Sequence, residues 1–298
     1  MFSRRHPYLF FLLIFTSVIA AAVMGMSLLL FFGTKDSDFD FGEKVGVIEI
    51  NGIIADAKPV IQNLKRFRKD FSIKAIVVRI DSPGGAVGPS QEIFREIRKT
   101  TGTKKVIASM GTIAASGGYY IAAGTDGIVA NPGTITGSIG VIMGFTNYQE
   151  LLQKIGLTPI VVKSGEFKDL GSPVRAMTAE ELDILKDFAR KIHRQFIMDI
   201  VEGRKMDQVK VEALADGRIF TGEESKDLGL VDRIGNLEDA IEWAGRLGGI
   251  KGEISTVYAR EKKFFLLRYL SESSLKAFLS RFIEPFLSAD YIYRPQNN

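Results

Sequence analysis

Near its start the chain carries 24 residues, 9–32, that are apolar apart from scattered Thr, Ser and Gly, and no charged residue falls between Pro7 and Thr34. As an α-helix this stretch reaches roughly 36 Å, enough to cross the ~30 Å hydrocarbon layer of a bilayer with some tilt. Arg4 and Arg5 precede it, whereas Asp36, Asp38 and Asp40 come after it with only Lys35 as a nearby base. The positive-inside rule then predicts an N-terminus in the cytoplasm and everything after the segment outside. A cleaved signal peptide is the competing reading, with Ala20, Ala21 and Ala22 as the small-residue site. The apolar run continues for ten residues past those alanines, which favours an uncleaved anchor.

The chain beyond the anchor has to supply its own core. Of 298 residues, 46% are hydrophobic and 25% charged, an ordinary globular balance. The net charge is +4 with the basic residues scattered, so nucleic acid is not an expected partner. With no cysteine in the chain, disulfides, thiolate nucleophiles and cysteine-based metal sites are excluded. The only histidines are His6 and His193, too few and too far apart for a zinc site of the HExxH type. No metal or cofactor is expected.

Residues 1–34 read as a cytoplasmic stub and transmembrane anchor, 35–43 as a polar tether, 44–250 as one globular domain and 251–298 as a C-terminal extension. Within the domain, short Val- and Ile-rich segments at 45–54, 75–80, 105–110, 127–130, 139–143 and 158–162 predict buried strands. Segments at 57–69, 91–100, 116–123 and 148–155 predict helices between them. Alternating β and α units imply an α/β fold with a mainly parallel sheet and crossover helices. Thr178-Ala179-Glu180-Glu181 opens a long amphipathic helix, with Glu181 placed to complete a capping box. Further helices are expected at 207–214 and 237–247, a strand at 253–258, and an aromatic amphipathic stretch at 264–286.

Three glycine-bearing clusters carry chemical potential. Asp81-Ser82-Pro83-Gly84-Gly85 joins a strand to a helix, and its paired glycines suit an oxyanion hole, a phosphate cradle or simply a tight turn. The chain has no GxxxxGK[ST] after it, so a nucleotide P-loop is not expected. In Ala114-Ala115-Ser116-Gly117-Gly118-Tyr119-Tyr120, Ser116 sits at a second strand-to-helix junction. There a serine is either a nucleophile or an ordinary helix N-cap. The GxSxG elbow of the hydrolases is not matched, because Ala114 replaces its first glycine.

The third cluster runs from Lys163-Ser164-Gly165 through Lys168 to Gly171-Ser172-Pro173. A lysine there is either a solvated loop residue or a base. To act as a base it must lose a proton that a free amine holds up to near pH 10.4, so its site must be enclosed. The other base to weigh for Ser116 is His193, whose neighbours Lys191 and Arg194 predict a solvated helix face. Lysine is therefore the better candidate.

Taken together these clusters resemble the signal peptide peptidase A family of serine proteases in its short form with a single catalytic domain. The likeness spans about residues 44–234 and joins the motifs in order: the Asp81 and Ser116 clusters, then Thr136-Gly137-Ser138-Ile139-Gly140, then Lys163-Ser164-Gly165 with Lys168. Ala215-Asp216-Gly217-Arg218-Ile219-Phe220-Thr221-Gly222 and Leu228-Gly229-Leu230-Val231-Asp232 complete it. The resemblance implies a ClpP/crotonase-like fold, with Ser116 as nucleophile and Lys168 as general base. It implies Ser138 as the hydroxyl that positions the lysine, and Gly85 and Gly117 as oxyanion-hole donors.

It further implies a homo-oligomeric ring on the bacterial cytoplasmic membrane, the catalytic domain outside, degrading remnant signal peptides and other hydrophobic peptides. In some relatives the C-terminal tail lies in the active-site groove and is trimmed by the enzyme; the polar end after Tyr293 motivates the same expectation here. Two other readings share the fold: a crotonase-type acyl-CoA hydratase or hydrolase, and a non-catalytic membrane scaffold.

Overall fold

The computed structural model describes residues 6–33, 42–259 and 290–292, and its contacts divide the chain into two units, Met1–Gly42 and Glu43–Asn298. In the first, α1 (Pro7–Gly33) is a single helix. Over Tyr8–Ser27 its mean hydropathy is 2.5, long and apolar enough to cross a membrane.

The second unit alternates strand and helix: β1 (Lys44–Asn51), α2 (Lys58–Lys69), β2 (Ile73–Ser82), β3 (Gly84–Ala86), α3 (Val87–Thr101), β4 (Lys105–Ala115), α4 (Gly117–Ala123), β5 (Gly127–Ala130) and β6 (Ile135–Gly137). After a long stretch interrupted only by α5 (Gln149–Lys154) come α6 (Ala179–Arg204), α7 (Gln208–Leu214), β7 (Ile219–Thr221), α8 (Gly222–Leu228), β8 (Arg233–Ile234), α9 (Leu237–Leu247) and β9 (Ser255–Tyr258). A last strand, β10, is Asp290–Ile292.

The main sheet runs β7-β6-β4-β2-β1-β9, with β5 and then β8 branching from β4. Every pairing in it is parallel except β6 with β7. Period-two alternation builds a core on each face. Ile48, Ile50, Ile76, Val78, Ile80, Val106 and Ala108 face a large cluster that includes Leu64 and Phe67 of α2, Ile93 and Ile97 of α3, and Phe196 and Ile200 of α6. The intervening Val45, Val47, Ala75, Val77 and Ile107 pack instead with Ala240, Ile241 and Ala244 of α9. Both faces are covered, which is why these strands read as continuous apolar runs.

Two expected strands are absent as such. Residues 139–143 hold no ladder, and β6 forms just before them; 158–162 pair with nothing among the described residues. Ile160 is 88% and Val162 94% exposed. Their β-branched side chains fit a strand, but among the described residues no sheet edge reaches them. The amphipathic stretch expected at 264–286 lies outside the described residues.

The C-terminal ends of β2 and β4 lie side by side at one end of the sheet, where β3 and α4 begin. β3 leaves the main sheet and forms a parallel bridge with Ile54 and an antiparallel ladder with β10.

Candidate active site

Ser116 is the hinge between β4 and α4, with φ 53° and ψ −116°. Positive φ is rare for a residue with a Cβ and costs on the order of 1–3 kcal/mol. Its backbone is held from both sides: Ser116 N–H donates to the Gly137 carbonyl at 2.8 Å, and Tyr120 N–H donates to the Ser116 carbonyl at 2.8 Å. The side chain makes no capping hydrogen bond to α4. Among the described residues the side chain therefore caps nothing, and the hydroxyl is held at a sharp strand-to-helix turn. This is the elbow geometry that the missing first glycine argued against; Ala114, fully buried, takes its place.

Close approach of α4 to the preceding turn explains the glycine beyond. A Cβ on Gly118 would stand 2.9 Å from the Ser82 carbonyl oxygen. Gly85 is more restricted, since a Cβ there would meet the Ile54 carbonyl oxygen at 2.2 Å. Ile54 N–H donates to the Gly84 carbonyl at 2.9 Å, and Ala86 N–H donates to the Ile54 carbonyl at 2.8 Å. Because successive peptide groups of a strand point to opposite edges, the N–H and C=O of Gly85 face the other side, where Tyr291 is its partner in β10.

Ser116 and Ser138 line one cleft of about 410 Å³, together with Ile139, Val141, Ile142 and Ala189 as apolar wall and Arg190, His193 and Asp216 as polar rim. Ser116 is 1% and Ser138 9% exposed. Ser138 also has positive φ, 51°, and its N–H donates to the Arg218 carbonyl at 2.8 Å. His193 departs from its expected solvated setting: it is half-buried, and its Nε2 lies 3.2 Å from the Ile139 carbonyl oxygen.

Lys168 is not among the residues of this cleft. It is exposed, on a turn whose own backbone closes by Lys168 N–H donating to the Gly165 carbonyl at 3.1 Å. Around it, Arg175 binds Asp169 at 2.8 Å and Glu181 at 2.8 Å, and Lys163 binds the other Asp169 oxygen at 2.7 Å. Hydrogen bonds from Arg175, then from Lys163, hold the Asp169 carboxyl well below the usual carboxylate range. Arg175 first, then the Thr178 N–H, pull Glu181 down to about 2. So the structure brings Ser116 and Ser138 into one cleft at the C-terminal end of the sheet, with β3 beyond the end of β2, and leaves both Gly85 and Lys168 out of that cleft's lining within a single chain. No group of His, Asp and Glu among the described residues could hold a metal ion.

Known proteins match most of this domain. The family model described as Peptidase family S49 matches residues 98–251, and the Clp protease model matches 46–135. A candidate protease of Synechocystis sp. is 45% identical over 220 residues, covering 72% of this chain and 79% of that protein. A candidate signal peptide peptidase of Enterococcus faecium is 37% identical over 217 residues, covering 67% of this chain and 62% of the relative. The chloroplastic serine protease of Arabidopsis thaliana is 35% identical over 206 residues, covering 69% of this chain but only 30% of the plant protein. A ClpP-like α/β chain that the S49 model matches over residues 98–251, more than half of its length, and that is 45% identical to a candidate protease over 72% of itself, belongs to peptidase family S49.

Proposed function

We propose that this peptidase is a membrane-anchored serine endopeptidase, with Ser116 as nucleophile and Lys168 as general base, that degrades remnant signal peptides and other hydrophobic peptides. The observation that carries the reading is the Ser116 elbow: a buried hydroxyl on disfavoured backbone that caps nothing, beside a strand edge able to hold a peptide. The relatives named as a serine protease and a signal peptide peptidase support the chemistry and the substrate class.

In the mechanism, the neutral Lys168 amine accepts the Ser116 hydroxyl proton as Oγ attacks the peptide carbonyl carbon. The N–H groups of Gly85 and Gly117 stabilise the resulting oxyanion. Collapse expels the amine product, which takes the proton back from Lys168, and water then releases the acyl group by the same route. Ser138 holds the amine in line. An extended substrate adds to β3 antiparallel, as β10 does, and places an apolar side chain against Ile139, Val141 and Ile142.

Lys168 works only if shielded, yet it is exposed in one chain and absent from the Ser116 cleft. The stretch that bears it also exposes Leu151, Ile155, Leu157, Ile160 and Val162. Those apolar side chains and the stranded base fit a homo-oligomer in which Lys168 of one copy completes the cleft of its neighbour. α1 anchors the assembly in the cytoplasmic membrane of a bacterial cell, with the catalytic domain outside.

The test is hydrolysis of an apolar peptide by the full-length protein in detergent, compared with Ser116→Ala and Lys168→Ala. Either substitution is expected to abolish turnover. Mass spectrometry on the same samples is expected to show a tail shortened near β10 in the wild type and intact in Ser116→Ala. Near-normal turnover in either variant would remove that residue from the mechanism, and an intact tail on active enzyme would reject self-trimming.

A further inference from the structure

Between Ser138 and α6 the chain makes an arm of some forty residues with no ladder to the main sheet and one short helix, α5. At its root the two strands of the arm are stitched together: Tyr148 N–H donates to the Pro173 carbonyl at 2.7 Å, and Asn147 Nδ2 donates to the Arg175 carbonyl at 3.0 Å. Gly171, at φ +77°, lets the ring of Phe145 approach to 2.4 Å from where a Cβ would stand. Beyond this root the side chains are mostly exposed, and little apolar packing holds the turn that carries Lys168.

What holds it is polar and converges on one guanidinium. Arg175 Nε donates to Asp169 Oδ2 at 2.8 Å, and Nη2 reaches the Asp169 main-chain carbonyl at 3.4 Å. Nη1 donates to Glu181 Oε2 at 2.8 Å, and Nη2 also binds Glu181 Oε1. Glu181 has 4% of its side chain exposed and belongs to the first turn of α6, a helix seated in the core through Leu185, Ile192, Phe196 and Ile200. Lys163 closes the turn from the other side, donating to Asp169 Oδ1 and to the Glu166 carbonyl, both at 2.7 Å. Asp169 is the next residue in the chain after Lys168. The backbone at Lys168 is thus tied to a rigid helix through a single planar fork that grips two carboxylates at once, a task for which an ammonium has no equivalent geometry.

The charge arithmetic points the same way. Asp169 and Glu181 are matched by Lys163 and Arg175. Among the described residues no ion pair with Lys168 is formed, so the two carboxylates hold the turn and leave its amine uncommitted.

We propose that Arg175 is the positioning residue of this peptidase: it fixes the Lys168 turn to α6 so that the amine arrives in register with the serine it serves. The inference rests on the reading of Lys168 as general base. Arg175 touches neither the cleft nor β3, so its loss should leave substrate binding alone and misplace the base. A displacement of about 1 Å in a reacting group costs on the order of 100-fold in rate.

The experiment measures kcat and KM for the full-length protein and for Arg175→Ala, Arg175→Lys, Asp169→Asn and Lys168→Ala, with assembly state read by light scattering. Arg175→Ala is expected to lose about 100-fold in kcat at unchanged KM. Arg175→Lys is expected to recover only a small part, because charge returns without the fork. A merely structural clamp would lower the amount of assembled enzyme and leave kcat per active site untouched. Wild-type kcat in Arg175→Ala, or a change confined to KM, overturns the proposal. If Arg175→Ala fails to assemble, Asp169→Asn decides by the same two readings, since it leaves the α6 cap whole. Lys168→Ala separates the layers: full activity there defeats the base assignment and this inference with it, whereas an inactive Lys168→Ala beside a fully active Arg175→Ala defeats this inference alone.

Discussion

Ser116 occupies backbone space that a side chain disfavours, and the strain is held by its hydrogen bond to the Gly137 carbonyl and the one it accepts from the Tyr120 N–H. Comparing Ser116→Ala with Ser116→Gly isolates that strain, since neither has the hydroxyl and only glycine is at ease at φ 53°. The glycine variant is expected to be the more stable by about 1 kcal/mol, the relief of strain being partly offset by glycine's larger unfolded-state entropy. Thermal unfolding midpoints would show it; an alanine variant more stable than the glycine one would mean that the elbow is unstrained. The serine was legible from its motif, but the elbow was hidden, because a fully buried Ala114 fills a position that the pattern reserves for glycine. His193 was misread from its neighbours in sequence, Lys191 and Arg194. Neighbours in sequence lie on other faces of a helix; its own face is shared with Ala189, Phe196 and Ile197, four residues before and three and four after, and Phe196 and Ile197 are buried. That spacing was the available signal.

Elements with a strong local code were the easiest to foresee. Thr178 and Glu181 form the expected capping box, and α9 spans the expected residues. The missing ladders at 139–143, where Ile142 makes only an isolated bridge, and at 158–162 were not foreseeable, because strand-forming side chains do not say whether a sheet edge lies within reach. The α6 terminus also predicts acid behaviour. Glu181 falls from its ordinary 4.5 to about 2 on folding, through Arg175 and the Thr178 N–H. A depressed carboxylate contributes stability that is fully present above its unfolded value and fades as pH falls through the folded one. Unfolding midpoints of the wild type should therefore decline between about pH 4.5 and 2 more steeply than those of Glu181→Gln, which has no proton to take up there. Parallel curves for the two proteins would show that this carboxyl is not coupled to folding.

At the scale of the molecule, runs rich in Val and Ile were enough to indicate strands buried on at least one face, which the structure covers on both, and the β-α order to indicate parallel pairing. What one chain could not reveal is how its parts are shared between copies. If Lys168 completes a neighbour's cleft, mixing inactive Ser116→Ala with inactive Lys168→Ala and letting subunits exchange should restore turnover, since some clefts would then receive an intact serine and an intact lysine. Continued silence after verified exchange would place both residues of each site in the same chain.

The ladder between β3 and β10 also bears on what such an enzyme can select. A strand edge offers only N–H and C=O groups, which every amino acid shares, so it recognises conformation before it recognises identity. A helix already spends those groups within itself. If the proposed substrates bind as β10 does, a helical membrane-spanning remnant has to unwind before it can lie along Gly84–Ala86, and peptides that unwind more readily are expected to be consumed first.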